Sequence, residues 1–395
     1  MRCLWLTWID PKPEHDGQRI YSGRLIEAAA KAGAQICVLC FSSDGSPRRN
    51  GEVEGRVRWS MVPDPMRSAW TSTLSLLPHI AHRSATASMR EAFDSLLASG
   101  SWDAIVLDGL YSGWALHPYQ RRFAKGQRPR LVYVSHNHEE TLRRSIADNF
   151  AGHIVKRRML QLDAHKVRLL ERKLVDIADV ITAITPQDAQ LFSAQRNGRP
   201  LVVLPPGYGG QRVHERRITV DTPRSVVVAG SFEWIAKQMN LEEFLESADG
   251  HFAQAGVRLR VIGNGEKAFF ARLRRRFRTV EVVGRVDTVT PYLNDARLAV
   301  VPERTGGGFK LKVLEYVFNR TPIAALDSAV AGTPLTPGVS MLMFPTQRDL
   351  VAGILKAVDD IPLLNRLQER AFTACVNSFD WNDRGTRLVG ALSAL

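Results

Sequence analysis

The stretch Val301-Pro-Glu-Arg-Thr-Gly-Gly-Gly-Phe-Lys-Leu-Lys-Val-Leu-Glu-Tyr-Val317 concentrates residue types suited to holding an anion. An apolar run ends near Pro302, three glycines follow, and helical spacing begins near Phe309 or Lys310. Glycines let main-chain N–H groups approach an anion closely, and a helix start adds unpaired N–H groups and the positive end of its dipole. Lys310 and Lys312 put two cations in that first turn, where the dipole disfavours them. An anionic ligand that offsets this cost is therefore expected; the plainer alternative is a glycine loop beside a solvated Lys–Glu helix face. Glu315, three residues past Lys312 and close to its face, offers a carboxylate to the two hydroxyls of a ribose.

Other turns follow apolar runs in the same half. Val226-Val-Val-Ala-Gly-Ser-Phe-Glu-Trp-Ile-Ala-Lys237 places Gly230, Ser231 and Lys237 after one run. Arg260-Val-Ile-Gly-Asn-Gly265 places Gly263 after a second, and Val282-Val-Gly-Arg-Val286 ends at Val286 after a third. Each is weak alone; their order and spacing carry the signal. In the first half, Gly17 lies in Pro11-Lys-Pro-Glu-His-Asp-Gly-Gln-Arg19, between a strand and a helix. His136 follows the apolar start of Leu131-Val-Tyr-Val-Ser-His-Asn-His-Glu-Glu140, with His138 a competitor and a core or surface histidine the alternative. No Asp-x-Asp stands at a strand end, and Asp359-Asp360 reads as a solvated pair near a helix end. Without paired carboxylates or a His/Cys cluster, no metal and no cofactor is expected.

The 301–317 motif resembles the donor-site signature of the retaining family 4 glycosyltransferases, in which two glutamates flank seven residues. Glu315 falls on the second glutamate, and Gly307 stands where the first would be. The match is closer to a variant with Gly-Gly-Gly, a basic residue, a hydrophobe, Lys and Leu-Glu. The resemblance implies that Glu315 contacts the ribose of a nucleotide-diphosphate sugar donor, and it puts the sugar contact at Gly307 in doubt. Main-chain amides from Gly308 through Phe309 and Lys310 to Leu311 are the replacement. It also implies that Gly230, Ser231 and Lys237 grip the diphosphate and that the Gly263 and Val286 turns surround the base. Gly17 then lies near the donor phosphate and the acceptor, and His136 near the sugar or the reacting centre. The implied reaction is sugar transfer to a hydroxyl acceptor, a glycan or lipid-linked saccharide, with retention of configuration. A sugar-nucleotide epimerase and a non-catalytic nucleotide- or nucleic-acid-binding protein stay open as alternatives.

These residues need strands to end where the motifs begin. Apolar runs read as strands at 3–8, 35–41, 104–108, 131–135, 180–184 and 201–204, then at 225–230, 258–262, 279–283, 298–302, 322–326 and 341–344. Helical spacing lies between them, as at 19–32, 161–178, 240–248, 266–277, 310–319 and 347–358. This alternation predicts an α/β chain with two doubly wound, Rossmann-like parallel-sheet domains facing across a cleft, the GT-B architecture. The expected bounds are 1–205 for an acceptor domain, 206–222 for a hinge and 223–378 for a donor domain. A C-terminal helix within 379–395, capped by Asn382 or Asp383, is expected to pack back toward the first domain.

The chain carries 53 Lys+Arg against 40 Asp+Glu, a formal charge of +13. Residues 121–173 hold 14 basic and 5 acidic side chains, which accounts for the basic surplus of the first half. A field of that sign attracts phosphates. The segment lacks interleaved aromatics that would stack bases, so no nucleic-acid partner is expected. Trp70, Leu74, Leu77 and Ile80 lie at helical spacing between Arg67 and Arg83, which suits either an interfacial segment or a core helix. An anionic membrane surface is thus an expected partner. With an N-terminus that reads as a first strand and no run of membrane-span length, a cytoplasmic protein, peripheral on the inner membrane face, is expected. Cys37 and Cys40 fall on one predicted strand and point to opposite faces, so they read as core rather than a metal or redox pair. Nothing in the sequence specifies an oligomeric state.

Overall fold

The computed structural model describes residues 1–14, 16–43, 46–64, 69–123, 128–150, 152–195, 198–277, 279–304, 308–327 and 329–394. The chain forms two compact units, Met1–Pro206 with Asp380–Leu395, and Gly207–Phe379.

The sheet of the first unit contains β1 (Arg2–Ile9), β2 (Gln35–Phe41), β3 (Val53–Glu54), β4 (Val57–Val62), β5 (Ala104–Asp108), β6 (Arg130–Val134), β7 (Val180–Ala183) and β8 (Leu201–Val203). Its order is β3-β4-β2-β1-β5-β6-β7-β8, parallel except for the β3–β4 pair. The sheet of the second unit contains β9 (Ser225–Ala229), β10 (Arg258–Ile262), β11 (Val280–Gly284), β12 (Leu298–Val301), β13 (Ile323–Leu326) and β14 (Leu342–Phe344). Its order is β11-β10-β9-β12-β13-β14, all parallel. Strand order reverses between β1 and β5 in one sheet and between β9 and β12 in the other. At such reversals the connections leave to opposite faces and open a crevice beyond the strand ends, where ligands bind in this fold class.

The central strands are buried on both faces, as β5 (Ala104–Asp108) and β9 show along their whole length. That double burial is why they read as unbroken apolar runs. All twelve predicted strands are present, but the first sheet has two more. β4 does not read as an apolar run because Arg58 and Ser60 alternate with buried Val57, Trp59 and Met61. Cys37 and Cys40 are both buried on β2, and all four cysteines are free.

Two expectations need correction. The terminal helix Trp381–Ser393 is capped by Asp380, whose carboxylate accepts from the Asn382 N–H at 2.9 Å, and not by Asn382 or Asp383. This helix lies against Gly17–Lys31 so closely that a Cβ on Gly385 would come within 2.1 Å of the Ala28 carbonyl oxygen. The Asp359-Asp360 pair is exposed at a helix end, as expected, and is also engaged: Asp359 binds Arg224 and Arg297 at 2.7 and 2.8 Å, and Asp360 caps the helix Ile361–Cys375. Finally, the 67–83 segment is not one helix. A short 3-10 turn, Ala69–Leu74, is separated by Pro78 from the helix His79–Ser84, and Leu77 and Ile80 pack on the core. Arg67 and the side chain of Trp70 lie outside the described residues.

Of the expected hinge, 206–222, residues 207–222 belong to the second unit. The Val213 N–H donates to the Phe318 carbonyl at 2.8 Å, and the Arg216 guanidinium donates to the Arg320 and Ala296 carbonyls at 2.9 and 2.6 Å.

Candidate functional site

In the second unit the predicted residues gather where β9, β10 and β12 end. The Gly230 N–H donates to the Ile262 carbonyl at 3.0 Å, the Gly263 N–H to Gly284 at 2.8 Å, and the Phe232 N–H to Asn264 at 2.6 Å. Three successive strand-end turns are thus joined main chain to main chain. Gly263 has φ +136, and a Cβ there would lie 1.6 Å from the Gly230 carbonyl oxygen. No other residue type fits this approach. Ser231 lies beside Glu233, whose other carboxylate oxygen accepts from the Asn264 amide at 2.6 Å. Lys237 occupies the first turn of the helix Ile235–Gln254. Val286 follows β11 and packs on the core below it.

The helix predicted after the glycines runs Leu311–Phe318, with Lys310 at the N-cap position and no side-chain cap. Among the described residues no side chain caps its main-chain start, and Tyr316 pins the helix: the Tyr316 hydroxyl takes the Ala229 N–H at 2.8 Å. Phe309 packs against Phe379, ring centroids 5.8 Å apart, while Gly308 and Leu311 are half-buried. Gly307 lies outside the described residues. Lys312 differs from the expectation that an external anion alone compensates its charge. Its ammonium pairs with Glu303, a buried carboxylate just beyond β12. Burial pushes the Glu303 carboxyl up, but Lys312 and Lys310 together pull it below the usual range. A Cβ on Gly230 would lie 3.8 Å from Lys312 Nζ, so the ammonium stands at the mouth of the β9 turn.

Glu315 does not pair with Lys312. One of its carboxylate oxygens accepts from the Asn319 amide at 3.0 Å, and Tyr208 also bonds it. Burial raises its carboxyl, against these two hydrogen bonds. Tyr208 is itself stacked on Phe318 at 4.5 Å. The carboxylate is thus held in one orientation and half-buried.

In the first unit, β6 leads to His136, and the structure separates it from its competitor. His138 caps the helix Glu139–Asn149, its Nδ1 accepting from the Thr141 N–H at 3.3 Å, and its ring lies 4.9 Å from Phe192. It is a structural residue. His136 instead has Nε2 2.6 Å from Oδ1 of Asp108, the wholly buried last residue of β5. The other carboxylate oxygen of Asp108 accepts from the Trp5 indole at 2.9 Å. Tyr21 packs edge-on at 5.2 Å from the His136 ring. A carboxylate at Nε2 favours the tautomer with its proton there, which turns Nδ1 into the acceptor. Gly17 begins the helix Gly17–Lys31, whose first N–H groups are already taken by the Asp16 carboxylate at 2.9 and 3.0 Å. The turn after β6 is braced a second time, because buried Glu171 accepts from the Glu139 and Glu140 N–H groups at 3.0 and 2.7 Å.

Sequence reasoning missed Asp108, Glu303, Tyr208 and Asn319. The only local signal was an acidic residue directly after an apolar run, as in Ala104–Asp108 and Val301-Pro-Glu303. Among the described residues, no group of three or more His, Cys, Asp or Glu side chains could hold a metal ion, and no helix is long and apolar enough to cross a membrane.

The family model described as "Glycosyl transferase 4-like domain" matches residues 16–207, and the one described as "Glycosyl transferases group 1" matches residues 223–360. No curated protein matches by sequence at a significant level. Among solved structures, sucrose-phosphate synthase from Thermosynechococcus elongatus superposes with a TM-score of 0.74 at 18% identity, covering 100% of this chain and 98% of that one. HepE from Anabaena, in complex with UDP and glucose, gives 0.63 at 14% identity with both chains covered in full. WaaG, a glycosyltransferase involved in lipopolysaccharide biosynthesis, gives 0.61 at 14% identity, again with both chains covered in full. From the two family matches and the architecture of both sheets, the chain belongs to the glycosyltransferases of the GT-B fold.

Proposed function

We propose that the protein transfers a sugar from a nucleotide-diphosphate sugar to a hydroxyl of a glycan or lipid-linked saccharide, with retention of configuration and without a divalent metal. The observation that carries this reading is the cluster at the ends of β9 and β12, where the Lys312 ammonium, the Gly230 turn and an uncapped helix start converge. Such a cluster stabilises the negative charge that develops on a departing nucleoside diphosphate. Glu303 anchors Lys312 in place, and Lys310 and Lys237 supply further cations. Glu315, oriented by Asn319 and Tyr208, receives the ribose hydroxyls. His136, oriented by Asp108, touches the sugar or the reacting centre. HepE in complex with UDP and glucose supports the donor class, and WaaG, a glycosyltransferase involved in lipopolysaccharide biosynthesis, supports a lipid-linked saccharide as the acceptor.

Thermal shift against a panel of nucleotide sugars identifies the donor, because a ligand that binds only the folded state raises the melting point. Transfer is then assayed with and without EDTA. Turnover that survives chelation is expected; complete loss restored by Mg²⁺ or Mn²⁺ would overturn the metal-free site. A product with an altered sugar and no glycosidic bond would make the protein an epimerase instead.

A further inference from the structure

The helix Ile154–Ile177 is buried along only part of its length. Val167, Leu170, Glu171, Leu174 and Val175 face the core, whereas residues 154–158 are all exposed. Opposite the buried stripe, helical spacing aligns Ile154, Arg158, Leu162, His165 and Leu169. Beside this face runs the 72–79 segment, held by the Lys166 ammonium, which donates to the Ser72 and Thr73 carbonyls at 3.0 and 3.1 Å. The His79 N–H, donating to Asp163 at 2.6 Å, holds its other end. Two leucines of that segment are almost wholly in solvent, Leu74 at 94% and Leu76 at 97% exposure. With Ile154, Val155, Leu162 and Leu169 they make six of the eleven large apolar side chains that stand exposed among the described residues. Isolated exposed leucines need no explanation, but such a concentration does.

Charge identifies the occupant. Residues 154–173 carry seven Lys and Arg against two acids; Glu171 is buried, Asp163 accepts from the His79 main-chain N–H, and Arg172 pairs with Glu140, which still leaves the helix with a clear positive excess. A second copy of the chain would oppose like charge to like charge, and protein interfaces are depleted in lysine. Apolar side chains flanked by cations match the boundary between headgroups and acyl chains of an anionic bilayer. We propose that the outward face of Ile154–Ile177 and the adjoining Leu74 and Leu76 form a docking surface for an anionic membrane. The surface deepens the lipid-linked acceptor reading above and rests on it for its role in the reaction.

The test is co-sedimentation of the full chain with phosphatidylglycerol-containing vesicles and with phosphatidylcholine vesicles, at low and high salt. Binding is expected on the anionic vesicles at low salt, and loss of binding on the neutral ones and at high salt. The double variants Leu74→Ser/Leu76→Ser and Arg157→Glu/Arg158→Glu alter exposed side chains, so unchanged thermal melting checks that they fold. Each is expected to lower partitioning by about tenfold or more, since one cation near the surface is worth about fivefold. No binding by the parent chain, equal binding to neutral vesicles, or undiminished binding by both variants overturns the proposal. So does concentration-dependent self-association that these variants abolish while vesicles stay unbound. Nucleotide-sugar turnover with a water-soluble acceptor is measured alongside: turnover without vesicle binding sinks only the docking surface, and vesicle binding without turnover sinks only the transferase reading.

Discussion

The two units hold their strand-end turns by different means. In the second, the turns after β9, β10 and β11 are fastened main chain to main chain, and Gly263 permits an approach that a Cβ would block. In the first, the turn after β6 hangs on buried carboxylates: Asp108 for the His136 ring, Glu171 for the amides of Glu139 and Glu140. Main-chain bonds do not titrate, whereas a buried carboxylate responds to pH and to the loss of one partner. The donor-side turn should therefore fail through shape, and the histidine turn through charge.

The largest effect tests the shape side. Gly263→Ala should destabilise the protein by about 4 kcal/mol or more, because main chain must move to admit the methyl group. Gly250→Ala, in open space within a helix, should instead stabilise by about 0.5 to 1 kcal/mol. Urea midpoints measure both, and a tolerated Gly263→Ala would dissolve the contrast.

The charge side follows. Burial first, then the Glu139 carboxylate, pushes the Glu171 carboxyl up to about 8. The folded state then keeps a proton that the unfolded chain has lost above its own lower value. The contribution of this group is full below about pH 4.5 and is lost as pH rises toward 8, at up to about 1.4 kcal/mol per pH unit. Discounting for the two amide donors, the loss between pH 5 and 8 should approach about 3 kcal/mol. Glu171→Gln, which cannot titrate, should flatten the profile. A wild-type profile already flat over that range would mean that the amide donors keep Glu171 ionised.

Next comes the oriented histidine. Asp108→Asn should cut kcat about a hundredfold, the scale of a misplaced general acid–base or polar contact, with KM for the donor changed less than about twofold. In a His136→Ala background the same change should have little further effect on kcat. A second full loss there would mean that Asp108 serves the fold and not the histidine. Last among the site changes is Glu315→Ala, expected to weaken nucleoside diphosphate binding by about 2 kcal/mol with the helix intact. Calorimetry reads it, and unchanged affinity would take Glu315 out of the ribose contact.

The same contrast explains what could be read from the sequence. Strands buried on both faces announce themselves as apolar runs, and the donor-side residues announce themselves because glycines, lysines and a helix start lie within one short stretch. Asp108 meets Trp5 across 103 positions and His136 across 28, and nothing local distinguishes it from an aspartate that opens an exposed turn. Glu303 is nine residues before Lys312, but its burial depends on how β12 sits against β9. His138 competes with His136 in the sequence, and their partners, a helix start against a carboxylate, tell them apart.

The closely packed pair formed by Gly17–Lys31 and Trp381–Ser393 has a consequence for synthesis. Between the two parts of the first unit the ribosome must make the whole second unit, about 170 residues, which takes roughly 10 to 35 seconds at usual elongation rates. During that interval the Gly17–Lys31 helix waits without its neighbour, and the second unit, contiguous in sequence, can fold first. The nascent chain is thus open to misassembly and to chaperone capture at this helix, and a nonsense codon shortly before 381 would leave it permanently uncovered.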